Sequence, residues 1–205
     1  MDRVVVTGAR GFIGSHLVAH LKKQHEVIEV QYPYPEVKDC TRVYHLAAPA
    51  TTEFITQNPL QVLDYIVAWT KSAMKINPEA LFINISSMGA EDTRGEEEQA
   101  CYNTAKRYME LYIKYSNIRG VNYRLPAVYG EGMHSDYYIK RCIDGTATEP
   151  IEDKEYFITH IDEVVDALVA VRDLQITETT IKEIYELFTT GRRGIHWNPF
   201  SQEFN

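Results

Sequence analysis

Hydrophobic and polar positions change their period along this chain, and the changes mark out its elements. Arg3–Thr7 (RVVVT) is a short β-branched run, the pattern of a buried strand. From Phe12 to Lys23 the apolar residues Ile13, Leu17, Val18 and Leu21 recur at helical spacing. A second strand is expected over Val27–Val30, then a stretch broken by Pro33 and Pro35, then a third strand over Arg42–Ala48 (RVYHLAA). Asn58 reads as a helix cap with Pro59 at the first helical position. Leu60, Leu63, Tyr65, Val67 and Met74 continue that helix to about Ile76, and Asn77-Pro78 stops it. Leu81–Ile85 predicts a fourth strand, Cys101–Tyr115 a helix and Val121–Leu125 a fifth strand. Strands alternating with helices of this length predict βαβ units, and so a doubly wound α/β fold with a parallel sheet of Rossmann type. From about Tyr129 the alternation loosens, leaving room for a small, irregular second region.

Composition narrows the class without changing this picture. At 205 residues, 44% hydrophobic and 24% charged, the chain can bury a sizeable core as one main domain with a small appendage. A net charge of -8 argues against broad electrostatic binding to nucleic acid. No apolar run reaches a membrane span, and the best candidate, Val164–Val171, is interrupted by Asp166. The N-terminus runs straight into a strand and lacks a signal-peptide core. Cys40, Cys101 and Cys142 are odd in number and widely spaced, which fits neither a disulfide framework nor a zinc site. Reduced thiols in a cytoplasmic protein are the expectation, with no metal.

Thr7-Gly8-Ala9-Arg10-Gly11-Phe12-Ile13-Gly14 joins the first strand to the first helix. Glycines there permit a tight turn, let the backbone approach a pyrophosphate, and allow the helix to pack close to the strand. The helix N-terminus offers unpaired N–H groups and a positive dipole end to the phosphates. A cofactor with a free ribose 2′-OH wants a carboxylate at the end of the second strand, but that position holds Gln31. Arg10 inside the loop can instead meet a 2′-phosphate. NADP is therefore favoured over NAD, with a merely solvated Arg10 as the alternative.

Tyr102 and Lys106 stand at i and i+4, on one helix face. Chance alone supplies roughly 0.7 such pairs in a chain of this composition. A second pair, Tyr34 and Lys38, falls in the proline-broken stretch, where no helix would juxtapose them. Position makes the case for Tyr102: it begins the helix after the fourth strand, whose carboxyl end carries Ser86-Ser87, and ligands of open α/β sheets bind outside those ends. A free phenol, with a pKa near ~10, is a poor base at neutral pH. An ammonium beside it favours the phenolate, so Tyr102 is expected to serve as general acid/base with Lys106 tuning it. Ser87 is placed to hydrogen-bond a substrate oxygen as it changes between hydroxyl and carbonyl. Read structurally, Ser86-Ser87 merely end a strand and Tyr102 packs as a helix aromatic.

The T-G-x-x-G-x-x-G loop with the Ser, Tyr and Lys resembles the extended short-chain dehydrogenase/reductases, the nucleotide-sugar epimerase/dehydratase family. Tyr44-His45-Leu46-Ala47-Ala48 is similar to its H-L-A-A strand, and Tyr102, Lys106 and Glu110 to its Y-x-x-x-K-x-x-x-E. Arg124-Leu125-Pro126-Ala127-Val128-Tyr129-Gly130 resembles R-x-x-N-V-Y-G, and His160-Ile161-Asp162-Glu163-Val164-Val165 the late H-V-D-D-V-V. The resemblance implies catalytic roles for Ser87, Tyr102 and Lys106. It implies cofactor contacts at Thr7, Gly8, Arg10, Gly11, Phe12, Ile13, Gly14, Gln31, Leu46, Ala47, Ala48, Leu125 and Val128, besides Tyr102 and Lys106. Relatives of this type are about half as long again. A dinucleotide-binding core over 1–130 and a reduced substrate-binding remnant over 131–205, forming one compact unit, are therefore expected.

Several positions depart from the family. Gln31 replaces the usual acid, and a strand and helix between the second and third strands are reduced or missing, so the acid that usually approaches adenine is not assignable, with Asp39 as a candidate. Ile66 and Ala127 stand where the family has Asn. Ser87-Met88-Gly89-Ala90 lacks the Asp-Glu pair of the 4,6-dehydratases, so water elimination is not expected. What the resemblance implies is an NAD(P)-dependent oxidoreductase or epimerase acting at a carbinol carbon, C4, of a nucleotide-linked sugar. The alternative is a non-catalytic NAD(P)-binding module, favoured by the short C-terminal region and the lost Asn positions. Trp69, Tyr108, Tyr112 and Tyr115 exceed what one sheet face needs, and the family often pairs these helices, so a homodimer is expected.

Overall fold

The structure is a computed structural model and describes residues 1–49, 51–91, 97–135, 137–150 and 155–189. Two compact units divide it: Met1–Leu125 with Leu168–Ala170, and Pro126–Ala167 with the residues from Val171 on. In the first, strands β1 (Arg3–Thr7), β2 (Glu26–Val30), β3 (Arg42–His45), β4 (Leu81–Ser87) and β5 (Gly120–Leu125) form a parallel sheet in the order β2-β1-β3-β4-β5. Helices α1 (Phe12–Leu21), α2 (Thr52–Gln57), α3 (Pro59–Ala73) and α4 (Glu97–Tyr115) belong to the same unit. Val4, Val5 and Val6 of the central strand are fully buried, as a β-branched run covered on both faces should be. This is the doubly wound α/β sheet that the strand–helix alternation predicts.

Two local expectations need correction. Asn58 precedes α3 but does not cap it with its side chain, because its amide nitrogen donates to the Phe54 carbonyl of α2 instead. Residues 31–41 carry no helix or strand, as their proline-broken sequence predicts, and β2 ends the sheet as an edge strand. The second unit is more regular than its loosened pattern suggests. Strand β6 (Ala127–Tyr129) pairs in parallel with β7 (Glu155–His160), which pairs antiparallel with β8 (Thr177–Thr180). Helix α5 (Tyr138–Ile143), the helix α6 (Ile161–Ala170) and α7 (Ile181–Thr189) complete its order. Thr180 and Glu183 exchange backbone N–H bonds in a capping box at the start of α7. The end of the region expected from 131 to 205, residues 190–205, lies outside the described residues.

The chain reverses its winding between β1 and β3, and one hydrogen-bond chain holds the two strands there. Thr7, the last residue of β1, lies 2.8 Å from Nδ1 of His45, the last residue of β3, and the His45 Nε2 lies 3.1 Å from the Thr70 hydroxyl of α3. Thr70 donates to the Ile66 carbonyl at 2.7 Å, so its oxygen is left to accept from His45. That direction assigns the Nε2–H tautomer, with Nδ1 accepting from Thr7. The Thr7 oxygen in turn accepts from the Ala47 N–H at 3.2 Å. Thr7 thereby both donates and accepts.

His45 is 3% exposed, and burial, helped by the Lys106 charge, pushes its pKa down to about 3. An unfolded histidine titrates near ~6.5, so between these values the unfolded chain takes up a proton that the folded one refuses. Stability is therefore full above about 6.5 and falls as pH drops toward 3, by up to about 1.4 kcal/mol per pH unit. Urea melts at pH 7 and pH 5 should show wild type losing about 2 kcal/mol more than His45→Gln, which can span the same partners without titrating. Equal losses in the two proteins would show that His45 does not carry the acid sensitivity.

Candidate functional site

The loop from Gly8 to Gly14 separates two uses of glycine. Gly8 takes φ +67°, and a Cβ there would lie 2.7 Å from the Ala47 backbone nitrogen. A Cβ on Gly14 would lie 2.1 Å from the Gly8 carbonyl oxygen. These two let the helix, the loop and the end of β3 come together. Gly11 is different: its Cβ would meet only the Gly8 carbonyl, at 3.3 Å. Gly11 precedes α1 without a side-chain cap, and no acidic residue stands in the first turn, Phe12 to Gly14. The first N–H groups of α1 are thus suited to an anion.

Beside the loop lies a cavity of about 450 Å³, a size suited to a small-molecule ligand. Gly8, Arg10 and Gly11 line it from the loop, Gln31 and Tyr32 from beyond β2, Ala47 from beyond β3 and Trp69 from α3. The Gln31 amide oxygen faces the Arg10 guanidinium and accepts from it at 2.9 Å. Gln31 thus orients Arg10 without cancelling its charge. Glu29, also at the cavity, is ion-paired with Lys22 at 2.8 Å. Asp39 sits elsewhere: it pairs with Arg3 at the amino end of β1, the opposite end of the strand from the loop, so it is not an acid near adenine.

Helix α4 meets β4 and the short turn that follows it. Lys106 Nζ donates to the Ile85 carbonyl at 2.7 Å, and Gly89 lies so close to Asn103 that a Cβ there would be 2.4 Å from its Oδ1. Ser87 lies between Ile85 and Gly89, and Tyr102 immediately precedes Asn103. The Ser87 hydroxyl accepts from the Gly89 N–H at 3.2 Å, capping the short turn Met88–Ala90. Lys106 Nζ lies 5.7 Å from the centre of the Tyr102 ring. Ser87 and Tyr102 are both half-buried, whereas Lys106 is 7% exposed. Burial lowers the Lys106 pKa to about 8, although the Glu110 carboxylate one turn along α4 opposes the fall.

Glu110 is itself buried, which alone would raise its pKa, yet its partners hold it below the usual carboxylate range. Arg124 of β5 grips both its oxygens, at 2.9 and 2.7 Å, and Arg107 reaches it at 3.2 Å. The buried Ser86 hydroxyl helps to keep it ionised, though without a well-formed hydrogen bond. Among the described residues, no group of three or more His, Cys, Asp or Glu side chains is placed to hold a metal ion.

Of the residues singled out in the sequence, Gly8, Arg10, Gly11, Gln31 and Ala47 line the cavity. Thr7 lies beneath it, Phe12, Ile13 and Gly14 open α1, and the Leu46 backbone abuts Gly8. Ala48 packs against the core, and Leu125 ends β5 opposite Ser87. Ser87, Tyr102 and Lys106 do not line this cavity, and Val128 lies in the other unit. Sequence reasoning missed Tyr32, Tyr34 and Trp69 as lining residues. Trp69 was expected among exposed aromatics, but it stacks on Tyr65 at 4.9 Å and faces the cavity. No periodic signal could have found Tyr32 and Tyr34, because they lie in an irregular segment.

Residues 4–34 match the model of the NAD dependent epimerase/dehydratase family. UDP-glucuronic acid decarboxylase 3 of Arabidopsis thaliana is 23% identical, over 82% of this chain and 65% of its own length. Across the curated relatives that it matches, the chain spans 41 to 65% of their length. Among solved structures, UDP-N-acetylglucosamine 4-epimerase from Methanobrevibacter ruminantium M1, in complex with UDP-N-acetylmuramic acid, superposes with a TM-score of 0.73. It is 21% identical, covering 91% of this chain and 80% of the other. MoeE5 in complex with UDP-glucose and NAD gives the same score and identity, over 94% and 82%. Residues 4–34 thus share the glycine-loop sequence of the NAD dependent epimerase/dehydratase family, and the chain shares the parallel-sheet fold of these structures.

Proposed function

We propose that the protein catalyses NAD(P)-dependent oxidation and reduction at a carbinol carbon, C4, of a nucleotide-linked sugar, as a 4-epimerase or a 4-ketoreductase. One observation carries the reading: Lys106, one turn from Tyr102 on α4, reaches the Ile85 carbonyl near the end of β4, which Ser87 closes, in the unit that holds the glycine loop. The cofactor fits the residues present, because Gly11 leaves room at the uncapped start of α1. When bound, a nicotinamide supplies the hydride acceptor and donor. Tyr102 takes the hydroxyl proton when the sugar is oxidised and returns it on reduction, while Ser87 orients the oxygen. Lys106, charged at neutral pH, stabilises the Tyr102 phenolate. Lys106 would also hold the ribose of a bound cofactor.

A C4 ketone also activates a carboxylate on the adjacent C5 for loss as CO2, because the electrons left behind delocalise into the carbonyl. The decarboxylase relatives therefore put UDP-glucuronic acid on the substrate panel beside other UDP-, GDP-, CDP- and dTDP-sugars. Nicotinamide retained through gel filtration marks an epimerase, and rapid exchange with free NADPH a ketoreductase. The second unit, with 131–205, is proposed to contribute the substrate side. The free cysteines Cys40, Cys101 and Cys142 fit work in the cytoplasm.

Three measurements test the reading. Tyr102→Phe should keep the fold and dinucleotide affinity but lower turnover roughly 10² to 10⁴-fold, and Lys106→Met should lose both turnover and affinity. Full turnover by Tyr102→Phe would place the chemistry elsewhere, and no turnover by wild type across the panel would favour a binding module. For NADP over NAD, Arg10 with its charge free beside Gln31 is the support. Arg10→Ala should weaken NADP about tenfold or more and leave NAD nearly unchanged. Equal losses, or none, would remove the NADP preference.

Assembly rests on α4, where Tyr108, Leu111, Tyr112 and Tyr115 form an exposed stripe at i, i+3, i+4 and i+7, with Tyr115 77% exposed. Lys71 of α3 lies 4.7 Å over the Tyr112 ring. An isologous homodimer through this face should appear by light scattering as twice the 23.6 kDa chain mass. A monomer at high concentration would end that assignment.

A further inference from the structure

Five aromatic rings follow one another from α2 to the cavity. Phe54 lies parallel to Tyr65, with centres 6.5 Å apart, and Tyr65 parallel to Trp69 at 4.9 Å. Trp69 meets Tyr32 at 6.2 Å with a 36° tilt, and Tyr32 meets Tyr34 edge-on at 5.6 Å. Trp69, Tyr32 and Tyr34 line the cavity beside the glycine loop. One face of the Trp69 indole is already covered by Tyr65, so its orientation is set before any ligand arrives, which reduces the ordering that binding requires. Tyr32 is 52% exposed, so its ring is accessible beside the cavity.

The two rings form a wall and not a slot. Admitting a third ring between them would need roughly 7 Å of parallel separation, twice the optimal carbon–carbon distance. Trp69 and Tyr32 are closer than that, and tilted. Of the side-chain acceptors around them, the Gln31 amide oxygen accepts from Arg10 and the Glu29 carboxylate is paired with Lys22. The cavity thus offers aromatic area to the face of a flat ring, and these two acceptors already hold cations instead of reading its edge.

We infer that Trp69 and Tyr32 are a stacking wall that holds the purine of the dinucleotide by its face, so that recognition of the base depends on aromatic area and is nearly blind to the substituents on its edge. This rests on the proposed reading of the cavity as a dinucleotide site. Adenine and hypoxanthine present similar faces and differ at C6, an edge position. A base held by stacking alone should therefore tolerate the exchange, as aromatic platforms that bind bases without sequence preference do.

The test uses the full chain, with calorimetry on NADP, its hypoxanthine analogue and nicotinamide mononucleotide, which has no purine. Wild type should bind the hypoxanthine analogue within about threefold of NADP. Trp69→Ala should lose about ten- to fiftyfold in affinity for both dinucleotides, Trp69→Phe only a few-fold, and neither should change mononucleotide binding. The chain has two tryptophans, so in a Trp197→Phe background NADP should quench the remaining Trp69 emission. Should Trp69→Ala not fold, Tyr32→Ala at the exposed ring takes its place, with a smaller loss in the same direction. Unchanged dinucleotide affinity in the folded variant, or a tenfold or greater preference of wild type for adenine, would overturn the wall while leaving the dinucleotide site standing. Failure of folded wild type to bind any of the dinucleotides would overturn both.

Discussion

A neutral imidazole at the point where β1 and β3 part underlies the rest of the first unit. His45 can satisfy Thr7 and Thr70 together only as the Nε2–H tautomer, and burial keeps it uncharged. Thr7, held this way, fixes the Ala47 N–H against which Gly8 packs. Those contacts engage the backbone on the inner side of the loop, leaving Gly11 and the start of α1 facing outward. A polar chain of this kind is costly if any member goes unpaired, because a buried donor or acceptor without a partner forfeits its hydration. Each member is hydrogen-bonded here, so the loop that is suited to an anion stands on a rigid base.

Helix α4 presents the opposite electrostatic problem, a buried cation. Lys106 is deep enough for burial to pull its pKa down to about 8, and the neighbouring Glu110 keeps it from falling further. Glu110 remains ionised because two arginines, one from β5 and one from its own helix, supply the hydrogen bonds that water would otherwise give. The ammonium beside Tyr102 is therefore supported from a turn away by a carboxylate that is itself anchored to the sheet.

At the other end of the sheet, the missing helix and strand between β2 and β3 change what borders the cavity. With residues 31–41 irregular, β2 is an edge, and Tyr32 and Tyr34 come from that irregular segment to meet Trp69 of α3. The same shortening carries Asp39 to the amino end of β1, where it pairs with Arg3. The β2 end thus carries an amide and an arginine, and aromatic rings of the irregular segment line the cavity.

The strands and helices of the first unit were legible in the sequence because their burial imposes a period: RVVVT, RVYHLAA and the amphipathic helices each advertise the face they hide. The glycine loop was legible for a similar reason, since close backbone contact excludes a side chain at Gly8 and Gly14 whatever surrounds them. Tyr102 and Lys106 could be paired because one helical turn fixes their separation. The sequence could not show that Asn58 turns back to α2, that Trp69 faces a cavity and not solvent, or that Thr7, His45 and Thr70 share one proton chain. Nor did the pattern after Tyr129 reveal a three-stranded sheet. Local spacing decides which residues share a face of one element. Which faces meet, and where a polar group far along the chain finds its partner, is decided only when the elements pack.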